Sequence, residues 1–425
     1  MSILDALKKY KWIIPLITKA NRKIKAIIYN NIASKEKNFY PEGEYKADIK
    51  NLINCMLCPN LCRFDCGSLQ AAQSETMSPA YKSLIAYYLS LGKIDPTIQE
   101  NKAFVDLIYK CSSEENCKIW CPFEFSVVSL LESVREDLND KGIMPDYCKE
   151  QIYKLKKTNT IEGINIFETY EEKGIKNIES TGNDDVYYYI GCQSMKLPDM
   201  VNAYIKILQK SEIKFSTNLN RKTCCGAPAF SIREMDVARN LAKKNNELIK
   251  STGAKIVVSD CPGCVETLTT RYKKEGFDLD LRIVHIVKYL NELIKEGKIS
   301  FNEENATSIE RITIHDPCHL ARNQGDTTSI REIIKNIPGI EIVESMHNKE
   351  RVHCCGWSGT LHWADREIAL KEASNRVEEL KNTGAYTFLS ACPLCELGLG
   401  YGIKAEDKGT LKVCDISELI FQYLL

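Results

Sequence analysis

Ten cysteines repeat one pattern twice: a single Cys, then a Cys-Cys-Gly, then a Cys-x-x-Cys. The first copy comprises Cys192, Cys224, Cys225, Cys261 and Cys264, and the second comprises Cys318, Cys354, Cys355, Cys392 and Cys395. The gaps are 31 and 35 residues in the first copy and 35 and 36 residues in the second. Thiolates are soft ligands that suit iron–sulfur clusters, zinc and Cu(I). The repeated spacing favours two iron–sulfur sites that face each other in one redox protein.

The number of cysteines in each copy bears on which metal they bind. A structural zinc site needs four ligands in a closed tetrahedron, whereas each copy offers five. Two adjacent cysteines suit a larger cluster that is contacted from two directions. The glycine after each pair, Gly226 or Gly356, allows a close backbone approach or a positive φ. A zinc site that uses four of the five thiolates, and buried cysteines that act as small hydrophobic residues, are the alternatives.

Each cysteine loop is predicted to follow a short strand and to precede a helix. Corresponding cysteines of the two copies are offset by 126 to 131 residues, which indicates an internal duplication. Strands that alternate with helices predict parallel α/β units with ligands at the carboxyl ends of the strands. The predicted strands are 186–190, 213–216, 255–259, 311–314, 341–343 and 386–389, and the main helices are 199–210, 235–251, 329–335 and 364–381.

Both copies resemble the cysteine-rich CCG domain of the catalytic subunit of heterodisulfide reductase, whose five-cysteine spacing each copy meets in full. The resemblance implies that each copy binds a noncubane [4Fe-4S] cluster and that a disulfide is cleaved between the two clusters. The ten cysteines would then be the catalytic residues. In related subunits of flavin dehydrogenases one or both motifs are often incomplete, so two intact motifs favour a disulfide reductase.

Seven further cysteines lie nearer the amino terminus and are compared with the two-cluster ferredoxin pattern C-x2-C-x2-C-x3-C-P. The first run, Cys55 to Cys66, has one extra residue before its third cysteine and Gly67 in place of proline, and the second run has Glu114 in its second position. The region is similar to the helical ferredoxin domain that is fused to CCG domains in heterodisulfide reductase and in glycerol-3-phosphate or glycolate dehydrogenase iron–sulfur subunits. In such domains the fourth cysteine of each run binds the cluster of the other run. This crossed ligation implies two sets of ligands, of which the first holds a cubane [4Fe-4S] cluster and the second holds a cluster that is short of one ligand. The sets are Cys55, Cys58, Cys62 and Cys121, and Cys66, Cys111 and Cys117.

Glu114 leaves the nature of the second cluster open. The site could hold a [3Fe-4S] cluster, use Glu114 as an oxygen ligand, recruit Cys148, or have an altered potential. A carboxylate is a harder ligand than a thiolate, so Glu114 is a poor substitute. Cys148 and Cys414 fit no motif, and a free buried cysteine is the expectation for both.

Four polar residues flank the second CCG motif: His315, Asp316, His319 and His353. They could protonate a thiolate product or tune the cluster through hydrogen bonds to its ligands. For any one of them, local capping of the turn between strand and loop is the preferred interpretation.

The predicted fold is α/β with an all-α N-terminal part, in which a helical two-cluster ferredoxin domain precedes two duplicated Rossmann-like cysteine-rich domains. The predicted segments are a basic amphipathic helix (1–40), the ferredoxin-like domain (41–154), a linker (155–185), the first CCG domain (186–305) and the second CCG domain (306–425). Helices are predicted in the second segment at 81–91, 102–109 and 127–141.

The composition indicates a cytoplasmic protein that uses thiolates as ligands. Lys+Arg and Asp+Glu both number 57, so no overall charge favours nucleic acid as a partner. Nineteen cysteines in 425 residues, with no evident signal peptide, do not fit a short secreted disulfide scaffold. No stretch approaches the roughly 20 apolar residues that span a bilayer. The basic amphipathic helix at 1–40 could lie on the cytoplasmic face of a membrane, dock a partner subunit, or pack on its own protein.

The predicted function is that of an iron–sulfur oxidoreductase subunit. Electrons from a partner subunit that carries flavin or haem would pass through the N-terminal cubane clusters to the two noncubane clusters, which reduce or form a small-molecule disulfide. The alternative is an electron-transfer subunit of a flavin-dependent glycerol-3-phosphate, lactate or glycolate dehydrogenase. No G-x-G-x-x-G after a strand and no P-loop is present, so either function requires a partner with the two-electron cofactor.

Overall fold

The computed structural model describes residues 43–162, 174–217, 223–305, 309–406 and 409–425, with the isolated positions 18–19, 21–22, 25, 170 and 219. Two units are distinguished, Met1–Glu44 and Tyr45–Leu425. The helix predicted over 1–40 lies almost entirely outside the described residues. Within the described part, no helix is long and apolar enough to cross a membrane.

The second unit begins with an all-helical region. Serine caps start two of its helices: the Ser78 side chain accepts from the Tyr81 amide and the Ser126 side chain accepts from the Ser129 amide. The last helix ends at Thr158, four residues past the predicted domain end at 154, and Asn159 caps it in a left-handed conformation. The helices are α1 (Ile49–Met56), α2 (Gly67–Ala72), α3 (Pro79–Ser90), α4 (Lys102–Tyr109), α5 (Asn116–Ile119), α6 (Val127–Asp140) and α7 (Asp146–Thr158).

Two four-stranded sheets follow, one in each repeat, and all their strands are parallel. The predicted parallel α/β architecture of both copies is therefore confirmed. The strand orders are β2-β1-β3-β4 and β6-β5-β7-β8, so the two sheets share one topology. The strands are β1 (Val186–Tyr189), β2 (Phe215–Thr217), β3 (Ile256–Ser259), β4 (Arg282–His285), β5 (Glu310–Ile314), β6 (Ile340–Ile342), β7 (Thr387–Ser390) and β8 (Lys412–Asp415).

Helices connect the strands in both repeats. Two π-helical turns, Thr267–Arg271 and His319–Asn323, lie shortly after cysteines, and such turns are frequent at functional sites. The first repeat contains α8 (Pro198–Lys210), α9 (Ala227–Ile232), α10 (Met235–Ser251), α11 (Pro262–Glu266), α12 (Tyr272–Lys274) and α13 (Ile286–Lys295). The second contains α14 (Ser329–Lys335), α15 (Leu361–Ala364), α16 (Arg366–Lys381), α17 (Pro393–Ala405) and α18 (Ile416–Tyr423).

The two repeats share one hydrophobic core. Buried residues of the first repeat, such as Val201 and Leu290, belong to the same cluster as Ile314, Leu389 and Ile416 of the second. Helix α8 packs against α18 across this junction. A continuous core resists shearing because every displaced side chain loses close contacts. The fold therefore fixes how the two sets of cysteine loops face each other.

Glu396 lies at this junction and gives a prediction on pH dependence. Burial and the nearby Asp415 raise its pKa from 4.5 to about 9. The folded protein thus binds more protons than the unfolded chain between about pH 5 and pH 9, and its stability falls as the pH rises through this window. We expect Glu396→Gln to increase thermal stability at about pH 8 and to flatten this pH dependence. Thermal denaturation of both proteins at several pH values measures this difference in stability. Curves of stability against pH that run parallel for the two proteins would contradict the prediction.

Candidate functional site

The cysteine loops of each repeat lie at the carboxyl edge of its sheet. Cys192 follows β1 and Cys261 follows β3, and these strands are neighbours in the sheet. Cys318 follows β5 and Cys392 follows β7, which are neighbours in the second sheet. In each sheet, the chain leaves one of these two central strands toward one edge of the sheet and the other strand toward the opposite edge. Parallel sheets form ligand clefts between two strands of this kind. Each sheet thus brings two distant parts of its motif together.

The Cys-Cys-Gly segments form tight turns that require glycine. Gly226 has a φ of 90° and Gly356 a φ of 75°, a region that favours glycine. A Cβ at Gly356 would lie 2.3 Å from the carbonyl oxygen of Ala369 in α16. The amide of Gly226 donates to Sγ of Cys224 at 3.4 Å, and that of Gly356 donates to Sγ of Cys354 at 3.3 Å. These amides point at the first cysteine of each pair, but hydrogen bonds with the neighbouring thiols of Cys192 and Cys318 raise the pKa of Cys224 and Cys354.

The ten thiols form one continuous series that crosses from the first repeat to the second. Sγ of Cys192 lies 3.8 Å from Sγ of Cys224. The contact between the thiols of Cys261 and Cys392 joins the two repeats. The order of neighbours is Cys192, Cys224, Cys225, Cys264, Cys261, Cys392, Cys395, Cys355, Cys354 and Cys318.

A cavity of about 140 Å³ lies where the two sets meet. A small molecule in it would therefore touch both sets at once. The N-terminal helical region contributes Ser113 to its wall, and the second repeat contributes His319 and Trp363. Eight of the ten cysteines line it: Cys192, Cys225, Cys261, Cys264, Cys318, Cys355, Cys392 and Cys395.

The spacing of the sulfurs argues against a single tetrahedral ion. At a Zn–S distance of about 2.3 Å, the sulfurs of a zinc site with four cysteine ligands lie about 3.8 Å apart on every edge. Among the described residues, no three cysteine sulfurs lie within 4.8 Å of one another. The thiols form an extended series, which fits a cluster of several metal atoms better than one zinc ion.

Hydrogen bonds between neighbouring thiols raise the pKa of some members of the series, such as Cys224 and Cys264, and lower the pKa of others. The thiolate form that metal ligation needs is therefore favoured at some positions of the series only. Hydrogen bonds from Cys224 and Cys264 lower the pKa of Cys225 well below its ordinary value. Those from Cys264 and Cys392 do the same for the pKa of Cys261. Thiolate character is thus present in the middle of the series.

His315 is a hydrogen-bond donor to the second set. Nε of Arg376, which can only donate, lies 3.1 Å from Nδ1 of His315, so Nδ1 accepts and the ring proton sits on Nε2. The ring hydrogen-bonds the thiol of Cys355. Burial lowers the pKa of His315, which keeps this ring neutral. His315 therefore donates to a sulfur of the motif.

The other flanking residues have different partners. Nδ1 of His319 lies 2.6 Å from Glu266 Oε2 of the first repeat, and both side chains line the cavity. Burial disfavours charge on His319, but Glu266 outweighs it and raises the pKa to about 10. Asp316 accepts two hydrogen bonds from Arg331, at 2.7 and 2.9 Å, and so stabilises the local structure. His353 bonds to Asp65 rather than to a cysteine.

The N-terminal cysteines lie in two adjoining sets. Electrostatic interactions link the members of the first set to one another, and they link Cys117 to Cys111 and Cys66. Cys62 of the first set also interacts with Cys66 and Cys117, so the two sets lie against each other. The first set consists of Cys55, Cys58, Cys62 and Cys121.

Glu114 stands beside the incomplete set. Its Oε1 accepts from the amide of Gly67 at 2.9 Å, and it acts electrostatically on Cys66. Its Oε2 is buried with no hydrogen-bond partner among the described residues. Cys148 lies elsewhere, since the charged groups that act on its thiol are Arg135 and Asp106. Glu114 is therefore better placed than Cys148 to complete this set.

The incomplete set packs directly against the second repeat. The carbonyl oxygen of Cys111 accepts from the amides of Thr360 and Leu361 at 3.1 and 3.2 Å. Ser112 donates to Glu372 at 3.1 Å, and Glu372 offers an oxygen within 4.8 Å of Sγ of Cys354. The sequence does not predict a role for Glu372, because its helix has an ordinary composition. Nothing in that helix indicates a contact with Ser112, which lies 260 positions earlier in the chain.

Comparison with known proteins identifies the repeated domain. Residues 186–269 and 312–400 each match the family described as the cysteine-rich domain, CCG. Over 333 residues the chain is 30% identical to a component of the dihydromethanophenazine:CoB–CoM heterodisulfide reductase of Methanosarcina acetivorans. The match covers 76% of this chain and 80% of that protein.

Two further relatives carry different names. A component of the fumarate reductase (CoM/CoB) of Methanothermobacter marburgensis is 26% identical, with 88% of this chain and 72% of that protein covered. The probable iron–sulfur-binding oxidoreductase FadF of Bacillus subtilis is 25% identical, with 75% of this chain and 46% of that protein covered. The chain therefore spans about half of the FadF protein.

Proposed function

Because this chain belongs to the family of CCG-domain subunits of heterodisulfide reductase, we propose that it reduces or forms a small-molecule disulfide in the cavity between its two repeats. It is an iron–sulfur oxidoreductase subunit. The observation that carries the proposal is that two complete five-cysteine sets open on one cavity. Each sulfur of a disulfide placed there has a cysteine set beside it.

The donor chemistry fits one noncubane [4Fe-4S] cluster in each repeat. The five buried or half-buried thiols of each set are soft ligands, and backbone amides and His315 donate to their sulfurs. Clusters bound there supply the electrons of the reaction. The chain's own residues hold and orient the ligands and exclude water with apolar side chains such as Pro262 and Leu394.

Reduction of a disulfide consumes two electrons and two protons and yields two thiols. His319 is the proton donor that the cavity wall offers. Glu266 holds its Nδ1, and its Nε2 lies 3.5 Å from Oγ of Ser358, another cavity residue. We assign His319 the delivery of one proton to a leaving thiolate.

Electrons reach the second repeat first in this proposal. The set of Cys66, Cys111 and Cys117 would hold the inner N-terminal cluster, with Glu114 as its oxygen ligand, and it packs against the Cys354 turn. The first repeat meets the helical region away from the N-terminal cysteines. Arg271 bonds Glu132, and the Cys224 amide donates to the carbonyl oxygen of Asn159 at 2.8 Å. The Cys261–Cys392 contact then links the second repeat to the first.

The outer N-terminal set would receive electrons from a partner subunit that carries flavin or haem. Its ligand loops expose large apolar side chains: Leu57, Leu61, Phe64 and Trp120 are 69%, 47%, 74% and 40% exposed. Trp120 Nε1 donates to Asp65 at 2.7 Å, so the two loops form one surface. Exposed apolar patches mark interaction sites. We therefore place the redox partner here, with the protein in the cytoplasm or on the cytoplasmic face of a membrane.

We expect Phe64→Glu to slow electron transfer from the natural partner about 10-fold, because it places a charge at the centre of an apolar contact. Reduction driven by a small viologen dye should be unchanged. Tyr386→Glu is the matched control, since Tyr386 is also aromatic and 67% exposed but lies on the second repeat. Stopped-flow reduction with co-purified partner measures the effect. Equal rates for the two variants would argue against this surface.

Anaerobic purification followed by dye-driven reduction of small disulfides tests the proposed function. We expect about 15 or 16 iron atoms per chain, with matching sulfide, and turnover of at least one small disulfide. Full iron content without reduction or formation of any disulfide would instead favour the alternative, an electron-transfer subunit of a flavin dehydrogenase. That alternative has weaker support, since the chain covers only 46% of FadF.

A further inference from the structure

Asp65, His347 and His353 converge where the N-terminal helical region meets the second repeat. One oxygen of Asp65 and one nitrogen of each histidine lie within 4.8 Å of one another. Asp65 is buried, whereas the two histidines are half-buried. The group contains none of the cysteines that the proposed function uses.

Glu379 orients both imidazole rings. One of its oxygens bonds Nδ1 of His347, and the other lies 3.2 Å from Nδ1 of His353. The rings stack with centroids 3.9 Å apart and an interplanar angle of 27°. With Nδ1 engaged on each ring, Nε2 is the remaining nitrogen, and Nε2 of His353 lies 2.8 Å from Asp65 Oδ1. A carboxylate on the far nitrogen is the usual support of a metal-binding histidine.

Both carboxylates are themselves held in place. Nη1 of Arg376, whose side chain is fully buried, donates to Glu379 Oε2 at 2.6 Å. Nε1 of Trp120 donates to Asp65 Oδ2 at 2.7 Å, which leaves Oδ1 toward the histidines. Supporting contacts of this kind hold ligands within the small tolerances of a metal site.

We propose that Asp65, His347 and His353 bind one divalent transition-metal ion, for which Zn²⁺ is the best match. Two imidazoles and one carboxylate with open positions form a common zinc ligand set. The hydrogen that His353 and Asp65 share leaves when the ion enters, because a metal binds the neutral imidazole. The ion joins the loop between Cys62 and Cys66 to the loop before Cys354, so it fixes the N-terminal cysteine sets against the second repeat. The inference does not rest on the proposed disulfide chemistry.

Zinc binding to the full-length, iron-loaded protein tests the site. After incubation with Zn²⁺ and desalting, we expect about one zinc per chain and a zinc X-ray absorption spectrum with nitrogen and oxygen neighbours only. His347→Ala should weaken zinc binding at least about 10-fold and leave the iron content unchanged. Met346→Ala is the matched control, because Met346 is the adjacent residue and is 89% exposed.

Zinc content separates this inference from the proposed function, since it requires no turnover. Equal zinc in the parent protein and His347→Ala, or sulfur neighbours near about 2.3 Å in the zinc spectrum, would overturn it. His347→Gln, which keeps a polar side chain, is the second variant if His347→Ala does not fold. Loss of iron together with zinc in both variants would also contradict an independent site.

Discussion

A Cys355→Ser protein should reduce a disulfide at least about 1,000-fold more slowly than the parent protein, while the proposed N-terminal clusters remain. Cys355 lies between Cys354 and Cys395 in the series of thiols, accepts the hydrogen bond of His315 and lines the cavity. A serine hydroxyl is a harder and far less acidic ligand than a thiol. The substitution therefore removes one ligand at the centre of the second set.

Cys414→Ser is the matched control for this variant. Cys414 is also buried, but it lies in β8, fits no motif and does not line the cavity. We expect near-parental activity from it, measured as dye-driven disulfide reduction beside iron content and EPR. If Cys355→Ser kept activity close to that of Cys414→Ser, the second set could not be part of the catalytic centre.

Gly398→Ala should displace the second Cys-Cys-Gly turn. A Cβ at Gly398 in α17 would lie 2.6 Å from the carbonyl oxygen of Cys355 and 2.8 Å from Cβ of Trp357. Alanine favours a helix over glycine by about 1 kcal/mol, but overpacking against a rigid backbone costs about 1–3 kcal/mol or more. We expect the overpacking to dominate, with lower stability and a partial loss of iron from the second repeat.

Gly400→Ala separates the helix preference of alanine from the overpacking, since it makes the same change in the same helix. The nearest atom to a Cβ there is Cγ1 of Val413, at an ordinary contact distance of 3.8 Å. This variant should be neutral or slightly more stable. Thermal denaturation and iron content of the two variants measure the difference. Equal behaviour would show that the close approach of α17 to the turn has no role in holding Cys355.

Much of the fold follows from local sequence. Val186–Tyr189 and Ile256–Ser259 are apolar runs that end in cysteine loops, and the helix Met235–Ser251 has clear boundaries, so these elements lie within a residue or two of prediction. The edge strands β4 and β8 were missed. Each runs into its following helix with no residue between them, so no glycine or proline marks the change from strand to helix.

In the candidate site, too, the sequence predicts the motifs within each repeat but not the contacts between distant parts of the chain. The spacing of the cysteines predicts which thiols act together, because the same five-cysteine pattern occurs once in each repeat. The Cys261–Cys392 contact, the Glu266–His319 pair and the packing of Glu372 on the N-terminal region depend on how three parts of the chain fold onto one another. Tertiary contacts of this kind leave no periodic pattern in a single sequence.

EPR spectroscopy of the oxidised full-length protein, with and without an added thiol, tests the central claim most directly. If two cysteine sets bind noncubane clusters that open on one shared cavity, the thiol should change a signal distinct from those of the proposed N-terminal cubane clusters. Cys355→Ser should remove or alter that response. Cubane signals alone, with no change on addition of thiol, would contradict the account.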